Sequence, residues 1–409
     1  MAQAQWTDEL LTQLRQVGDP EGDRTMAAVF AAGDIGALDG FMGQLVGNDE
    51  VPADAPPEVA AFLQQTSALP SWANPQKLEA AAELFNIYGF ASLASLVSAS
   101  LPQCYTIRIG VRILGLTSQL GSHANRRLHQ TAAMVLSVMG PDAFGPQGTG
   151  IRQTQKVRLI HAAIRYRILS SIGEAGYARS AGAEVPVLVT GAKRSVNDVV
   201  TQHGFDWQVA RDGAPINQED QAFTLLTFGH VIPKGMRALG IKLSNDDYEA
   251  ILHTWNVSGY IMGVDERLMA HTEADATDLF ARIQARQAGA SPDGAHLTHS
   301  LLQLVEDKLL TGPLLRPLAP ILVRMLNGDQ TAAMLGLDVR HHAVVVVLHR
   351  LIAMVLRSVQ VLLRPFSQAW QPGVPLAARF GRRIIDFLVR ATDDGRVRQV
   401  AVPPGWLEG

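Results

Sequence analysis

Apolar positions along this chain recur at intervals of three and four, the spacing that gathers one face of an α-helix. Val345, Leu348, Ile352, Val355, Leu356 and Val359 form one such stripe. Strict alternation of apolar and polar residues, the mark of a half-buried strand, is scarce. Only Val185-Pro-Val-Leu-Val-Thr190 reads as extended. The pattern predicts an all-α protein of about fifteen or more helices. Residues 154–169 contain neither Gly nor Pro and predict one of them. Leu159, Ala162 and Ala163 fall near one face of it, and Arg158, His161 and Arg165 form a second, polar stripe. A further helix is predicted over 218–229, with Asn217 as its N-cap after Pro215-Ile216.

Breaker-rich segments at 47–58, 140–150 and 286–297 read as loops or linkers, and 402–409 as a non-helical tail. No internal repeat is evident, which argues against a solenoid. The chain is therefore read as one large helical domain over 61–390, a helical extension and linker over 1–60, and an irregular tail over 391–409. The two longest apolar stretches are 84–101 and 343–363. The first is interrupted by Asn86, Gly89 and several serines, and the second by His349, Arg350, Arg357 and Gln360. Such interruptions predict buried amphipathic helices and no membrane span.

Composition narrows the chemistry. Of the 409 residues 47% are hydrophobic, enough for a sizeable core and too many for a disordered chain. The net charge of -3 gives no basic footprint, so no nucleic-acid partner is expected. The single cysteine, Cys104, excludes an intramolecular disulfide, a cysteine-based zinc site and a c-type haem. Met1-Ala-Gln-Ala-Gln-Trp6 has no basic or apolar leader segment. A cytoplasmic location is expected, or a secreted one if a signal peptide has been removed. Nucleotide-binding glycine loops, the Gly-x-Ser-x-Gly elbow and His-Glu-x-x-His are missing.

The twelve histidines leave room for a metal or haem ligand. His341, His342, His296 and His299 sit in polar stretches and read as surface residues, His253 as packing, and His123 and His129 as part of a solvated helix face. His161 shares a stripe with two arginines. His203 lies in Thr201-Gln-His-Gly-Phe-Asp-Trp207, where Phe205 and Trp207 flank an imidazole. An imidazole beside an aromatic wall suits a haem; read from the residues alone, both histidines are more readily satisfied core residues.

Several segments together resemble a known family. They are Ser100-Leu-Pro-Gln-Cys-Tyr105, Arg126-Arg-Leu-His-Gln-Thr131 and Lys156-Val-Arg-Leu-Ile-His-Ala162, followed by Gly213-Ala-Pro-Ile-Asn-Gln-Glu-Asp220, Thr224-Leu-Leu-Thr-Phe228 and Trp255-Asn-Val-Ser-Gly-Tyr-Ile-Met-Gly-Val-Asp-Glu266. Their order resembles the latex-clearing protein type of rubber oxygenase, and also the oxygenase group of the mycophenolic-acid pathway. The resemblance implies a helical, globin-like core enclosing one non-covalent haem b, with dioxygen as co-substrate and cleavage of an isoprenoid or polyisoprene double bond to carbonyl products.

Carried over by motif, His203 is the proximal iron ligand, with Thr201 two residues before it, and Lys156 occupies the distal position. Arg158 and His161 join Lys156 as pocket residues, and Arg158, Arg165 and Trp207 are cofactor contacts. A monomer or weak dimer is expected. Two departures stand out. The interval from Lys156 to His203 is longer than the family's, the extra material falling at 180–197. In addition, no glutamate lies between Glu83 and Glu174, where the family has a catalytic one; Asp142 is the only carboxylate there. A related haem oxygenase or peroxygenase with another lipid-like substrate, and a haem-free helical interaction protein, are the alternatives.

Overall fold

The computed structural model describes residues 5–33, 55–119, 124–171, 206–308 and 316–337, isolated positions between 41 and 53, and Val347 and Met354. These residues form helices and no strand; the only β-type pairing among them is an isolated bridge between Ile107 and Ala288. In chain order the helices are α1 (Asp8–Arg15), α2 (Pro20–Ala32), α3 (Pro57–Gln65), α4 (Pro75–Ile87), α5 (Gly89–Ser95), α6 (Leu101–Cys104), α7 (Gly110–Gln119), α8 (Ala124–Val138) and α9 (Gly150–Ser171). After these come α10 (Val209–Asp212), α11 (Gln218–Leu226), α12 (Ile232–Ala238), α13 (Asn245–Ile261), α14 (Glu273–Gln287), α15 (Pro292–Lys308) and α16 (Leu318–Met334).

Helix starts follow local chemistry. Asp19 caps α2 by accepting from the Gly22 amide, with Pro20 in the first turn, where its missing N–H costs nothing. Asn217 caps α11 as expected, accepting from the Asp220 amide. Ser244 and Asp247 form a reciprocal capping box on α13. The N-terminus of α9 is capped from far away in sequence: the Asn48 side chain accepts from the Ile151 and Arg152 amides and donates to the Ala143 and Gly145 carbonyls of the preceding turn.

Two expectations are revised. The helix predicted over 218–229 does not stop at Gly229. It changes at Thr227–Val231 into a π-helical turn and continues into α12. The segment 286–297, read as a loop from its Gly, Ala and Ser content, is only four residues between helices, because Pro292 starts α15. The apolar stretch 84–101 folds as the end of α4, then α5, then a second π-helical turn at Leu96–Ser100. Among the described residues no single helix is long and apolar enough to cross a membrane. Residues 185–190 and nearly all of 343–363 lie outside the described residues.

Helix α9 is central. It packs against α2, α8 and α13, and α13 in turn packs against α4, α11 and the Thr227–Val231 turn. The largest fully buried side chains include Trp6, Phe62, Tyr248 and Trp255, and with them, unusually, Arg165 and Lys156 of α9. A lysine and an arginine are almost never fully buried without compensation, so α9 is where the fold departs from a plain apolar core.

Candidate active site

A cavity of about 310 Å³ lies against α9. Val157, Ile160, His161 and Ile164, at the i, i+3, i+4 and i+7 positions of α9, form one wall. The first turns of α11 provide Asp220, Gln221 and Thr224, and α13 provides Trp255 and Ser258. Phe228, on the π-helical turn, stacks on Trp255 at 4.6 Å between ring centroids. Leucines of α6 and α15 complete a largely apolar lining.

Among the described residues lining the cavity, His161 is the one histidine. Burial first, then the charge of Arg165, pushes its imidazole down to about 4, against the opposing pull of Asp19 and a hydrogen bond with Gln221. It is therefore neutral near pH 7, and its Nδ1 has no hydrogen-bond partner among the described residues.

The stripe drawn through Arg158, His161 and Arg165 divides here. His161 sits on the edge shared with the apolar face and reaches the cavity. Neither arginine lines the cavity; both turn to α2. Arg158 grips Asp19 bidentately, Nε to Oδ2 at 2.6 Å and Nη2 to Oδ1 at 2.8 Å, and also donates to Glu21 and to the Ile261 carbonyl. Arg165 donates to Asp23 and, through Nη1, to the carbonyls of Pro215 and Ile216. Burial raises Asp23 to about 6 despite the Arg165 charge.

Ile216 lines the cavity at φ 53°, a conformation that costs a β-branched residue heavily. The Arg165 bonds to its carbonyl hold it there. The two arginines thus brace the cavity walls from behind: Arg165 fixes the turn before α11, and Arg158 the turn after α13. Gly263 in that second turn has φ 80°, and a Cβ there would come within 2.8 Å of the Arg158 guanidinium. Gly263→Ala is expected to cost about 1–2 kcal/mol, read as a lowered melting temperature. An unchanged melt would mean that the guanidinium is not packed as described.

Lys156 does not line the cavity. Its side chain is buried, and Nζ has no hydrogen-bond partner among the described residues. Burial lowers its pKa to about 8. Trp207 is buried and does not line the cavity, its indole donating to the Gly213 carbonyl while Arg112 lies 5.5 Å over its ring. Thr201, His203, Phe205 and 180–197 lie outside the described residues.

Of the remaining histidines, His296 and His299 are exposed as expected. His253 accepts from the Asn74 amide and packs edge-on to Trp72. His230, not singled out in the sequence, is buried in a short hydrogen bond with Tyr248. Asp142 lies on the 140–149 turn and accepts from the Gln147 amide.

The residue that sequence reasoning missed is Asp220. It lines the cavity, and burial raises it to about 6 against the charge of Arg15. Its place three residues after Asn217 marks it as a capping residue, which it also is: its Oδ2 accepts from the Asn217 side chain at 2.9 Å.

The family model described as "ER-bound oxygenase mpaB/B'/Rubber oxygenase, catalytic domain" matches residues 85–358. The chain is 26% identical over 330 residues to the rubber oxygenase of Streptomyces sp. (strain K30), covering 78% of this chain and 71% of that protein. Its fold is similar to that of latex clearing protein LCP in the closed state, with a TM-score of 0.67 at 22% identity over 95% of this chain and 94% of the other. Cavity walls drawn from α6, α9, α11, α13 and α15 all fall inside the matched segment, and the chain belongs to this mpaB/B'–rubber oxygenase catalytic-domain family of oxygenases.

Proposed function

We propose that this oxygenase uses haem b and dioxygen to cleave carbon–carbon double bonds of polyisoprene or a shorter isoprenoid, giving carbonyl products. The observation that carries the reading is the apolar cavity with a neutral imidazole in its wall. Its residues fit the group. His161 offers a nitrogen with no hydrogen-bond partner among the described residues, Phe228 and Trp255 offer aromatic rings, and Lys156, outside the lining, is a buried amine likewise without a partner among the described residues. Haem held there would supply dioxygen binding and activation. His203, with Thr201, would hold the iron, and Lys156 would be a further group able to bind it, as the family resemblance implies. The oxygenase domain is read as 61–390, with 1–60 as an extension whose Asp19, Glu21 and Asp23 brace α9 and 391–409 as the tail.

The chain's own part is to bind, orient and exclude water. An unsaturated hydrocarbon offers no hydrogen bonds, so it is held by burial at about 25 cal/mol per Å². Polyisoprene is favoured by the named Streptomyces relative. A shorter or functionalised isoprenoid is favoured by the polar side chains of Asp220 and Gln221 in the wall, to which a pure hydrocarbon offers nothing.

The test is the visible spectrum of the purified chain offered hemin, followed by carbonyl-product assays on polyisoprene and on squalene. A Soret band and carbonyl products are expected, and His203→Ala is expected to lose most of the haem. A chain that stays colourless overturns the haem assignment, and full haem retention by His203→Ala overturns the ligand.

A further inference from the structure

Among the described residues the cavity wall carries one carboxylate, and it is neither a plain cap nor a fully neutralised ion. Asp220 Oδ1 meets Arg15 Nη1 at 3.4 Å, a long contact that Arg15 shares with Glu219 at 3.3 Å. Oδ2 accepts one bond, from Asn217, and keeps lone-pair capacity on the side of Gly110, which also lines the cavity. A Cβ at Gly110 would lie 3.4 Å from Oδ2, so the missing side chain leaves this oxygen open. His161 lines the same cavity and hydrogen-bonds the neighbouring Gln221, its Nδ1 having no partner among the described residues.

We infer that Asp220 is the acid–base residue of the cavity, accepting a proton at Oδ2 from the bound substrate and returning it, with Arg15 as its positioning residue. The inference rests on the oxygenase reading of the cavity. Taking the proton breaks one allylic C–H bond of the substrate, leaves its electron pair on the substrate and forms one carboxyl O–H bond; returning it breaks that O–H bond and re-forms a C–H bond. Adding dioxygen across a double bond to give two carbonyls neither gains nor loses protons overall, so the proton goes back before product leaves.

The groups facing Asp220 set its proton affinity. Arg15 of α1 lowers it; Glu219 of its own helix raises it. Arg286 and Gln287 of α14 hold Glu219, leaving Arg15 to serve both carboxylates. His161 of α9 is neutral, and the residues by which α7 lines the cavity, Gly110, Ile113 and Leu114, carry no charge. Burial is the largest influence, and it brings the carboxyl to about 6, where giving and taking a proton near neutral pH are both easy.

Two readouts test this. Infrared titration of the cofactor-free chain is expected to show protonated-carboxyl absorption titrating near pH 6 from Asp220 and Asp23 together, of which Asp220→Asn removes the Asp220 part and Arg15→Gln moves that part to higher pH while the Asp23 part stays. In the haem-loaded enzyme, Asp220→Asn is expected to lower kcat on the order of 100-fold with little change in KM and to abolish the acid limb of the pH profile, while Asp220→Glu recovers part of the rate. An Asp220→Asn variant with wild-type kcat and acid limb overturns the inference while leaving the oxygenase reading intact. A wild type inert toward every isoprenoid overturns the isoprenoid reading of the cavity on which the inference rests; titrating carboxyl absorption unchanged by Asp220→Asn overturns Asp220 by itself.

Discussion

Asp19→Ala is expected to lower the unfolding free energy by about 3–5 kcal/mol. Both members of the Asp19–Arg158 pair are buried, with side-chain exposures of 3% and 7%. Taking the carboxylate away leaves a guanidinium that cannot shed its charge. Burial works against that charge, and the hydrogen bonds and charge of Asp19, then those of Glu21, hold it in place. Asp19 also caps α2, so the same substitution frees the Gly22 amide. Chemical denaturation measures the loss. Asp19→Ala combined with Arg158→Met is expected to recover part of it, because the stranded charge goes with the arginine. A loss under about 1 kcal/mol, the range of an exposed ion pair, would show that Arg158 does not depend on Asp19. The functional consequence is indirect. Arg158 also holds the Ile261 carbonyl next to cavity-lining Met262, so the single variant is expected to loosen that wall.

That coupling explains which features were legible in the sequence. The all-helical pattern, α9 and the Asn217 cap are local properties, fixed by residues three or four apart. His161 was found because an imidazole at helical spacing is visible in one dimension. The direction of its neighbours was not. Arg158 meets Asp19 across 139 residues and Arg165 meets Asp23 across 142, and nothing within α9 reveals that partner. The π-helical turns at Leu96–Ser100 and Thr227–Val231 were invisible for another reason. Their surroundings are buried on nearly every side, so no amphipathic stripe exists whose phase could slip. Asp220 was hidden by its second role, since an acid at the third position of a helix reads as part of a cap. The Gly, Ala and Ser content of 286–297 outweighed the one informative residue there, Pro292, which suits a first turn.

Lys156→Met is expected to stabilise the cofactor-free protein by about 2–3 kcal/mol at pH 7. The ammonium is buried with no hydrogen-bond partner among the described residues, and burial is the named cause of its fall from 10.5 to about 8. The sign follows from proton counting. Below pH 8 the lysine is charged in both folded and unfolded chains, and the folded state bears the full desolvation cost. Between about 8 and 10.5 the unfolded chain still binds the proton and the folded one does not, so wild-type stability rises with pH. The advantage of methionine is therefore largest at and below neutral pH and disappears through that alkaline window. Denaturant unfolding at pH 7 and pH 10 reads both ends. An equally large advantage at pH 10 would mean that methionine acts by packing, and none at pH 7 would mean that the amine is solvated. A buried amine that destabilises the empty fold is a group retained for something other than folding. If it serves the iron, haem should reverse the order: with haem bound, wild type gains stability and Lys156→Met gains less.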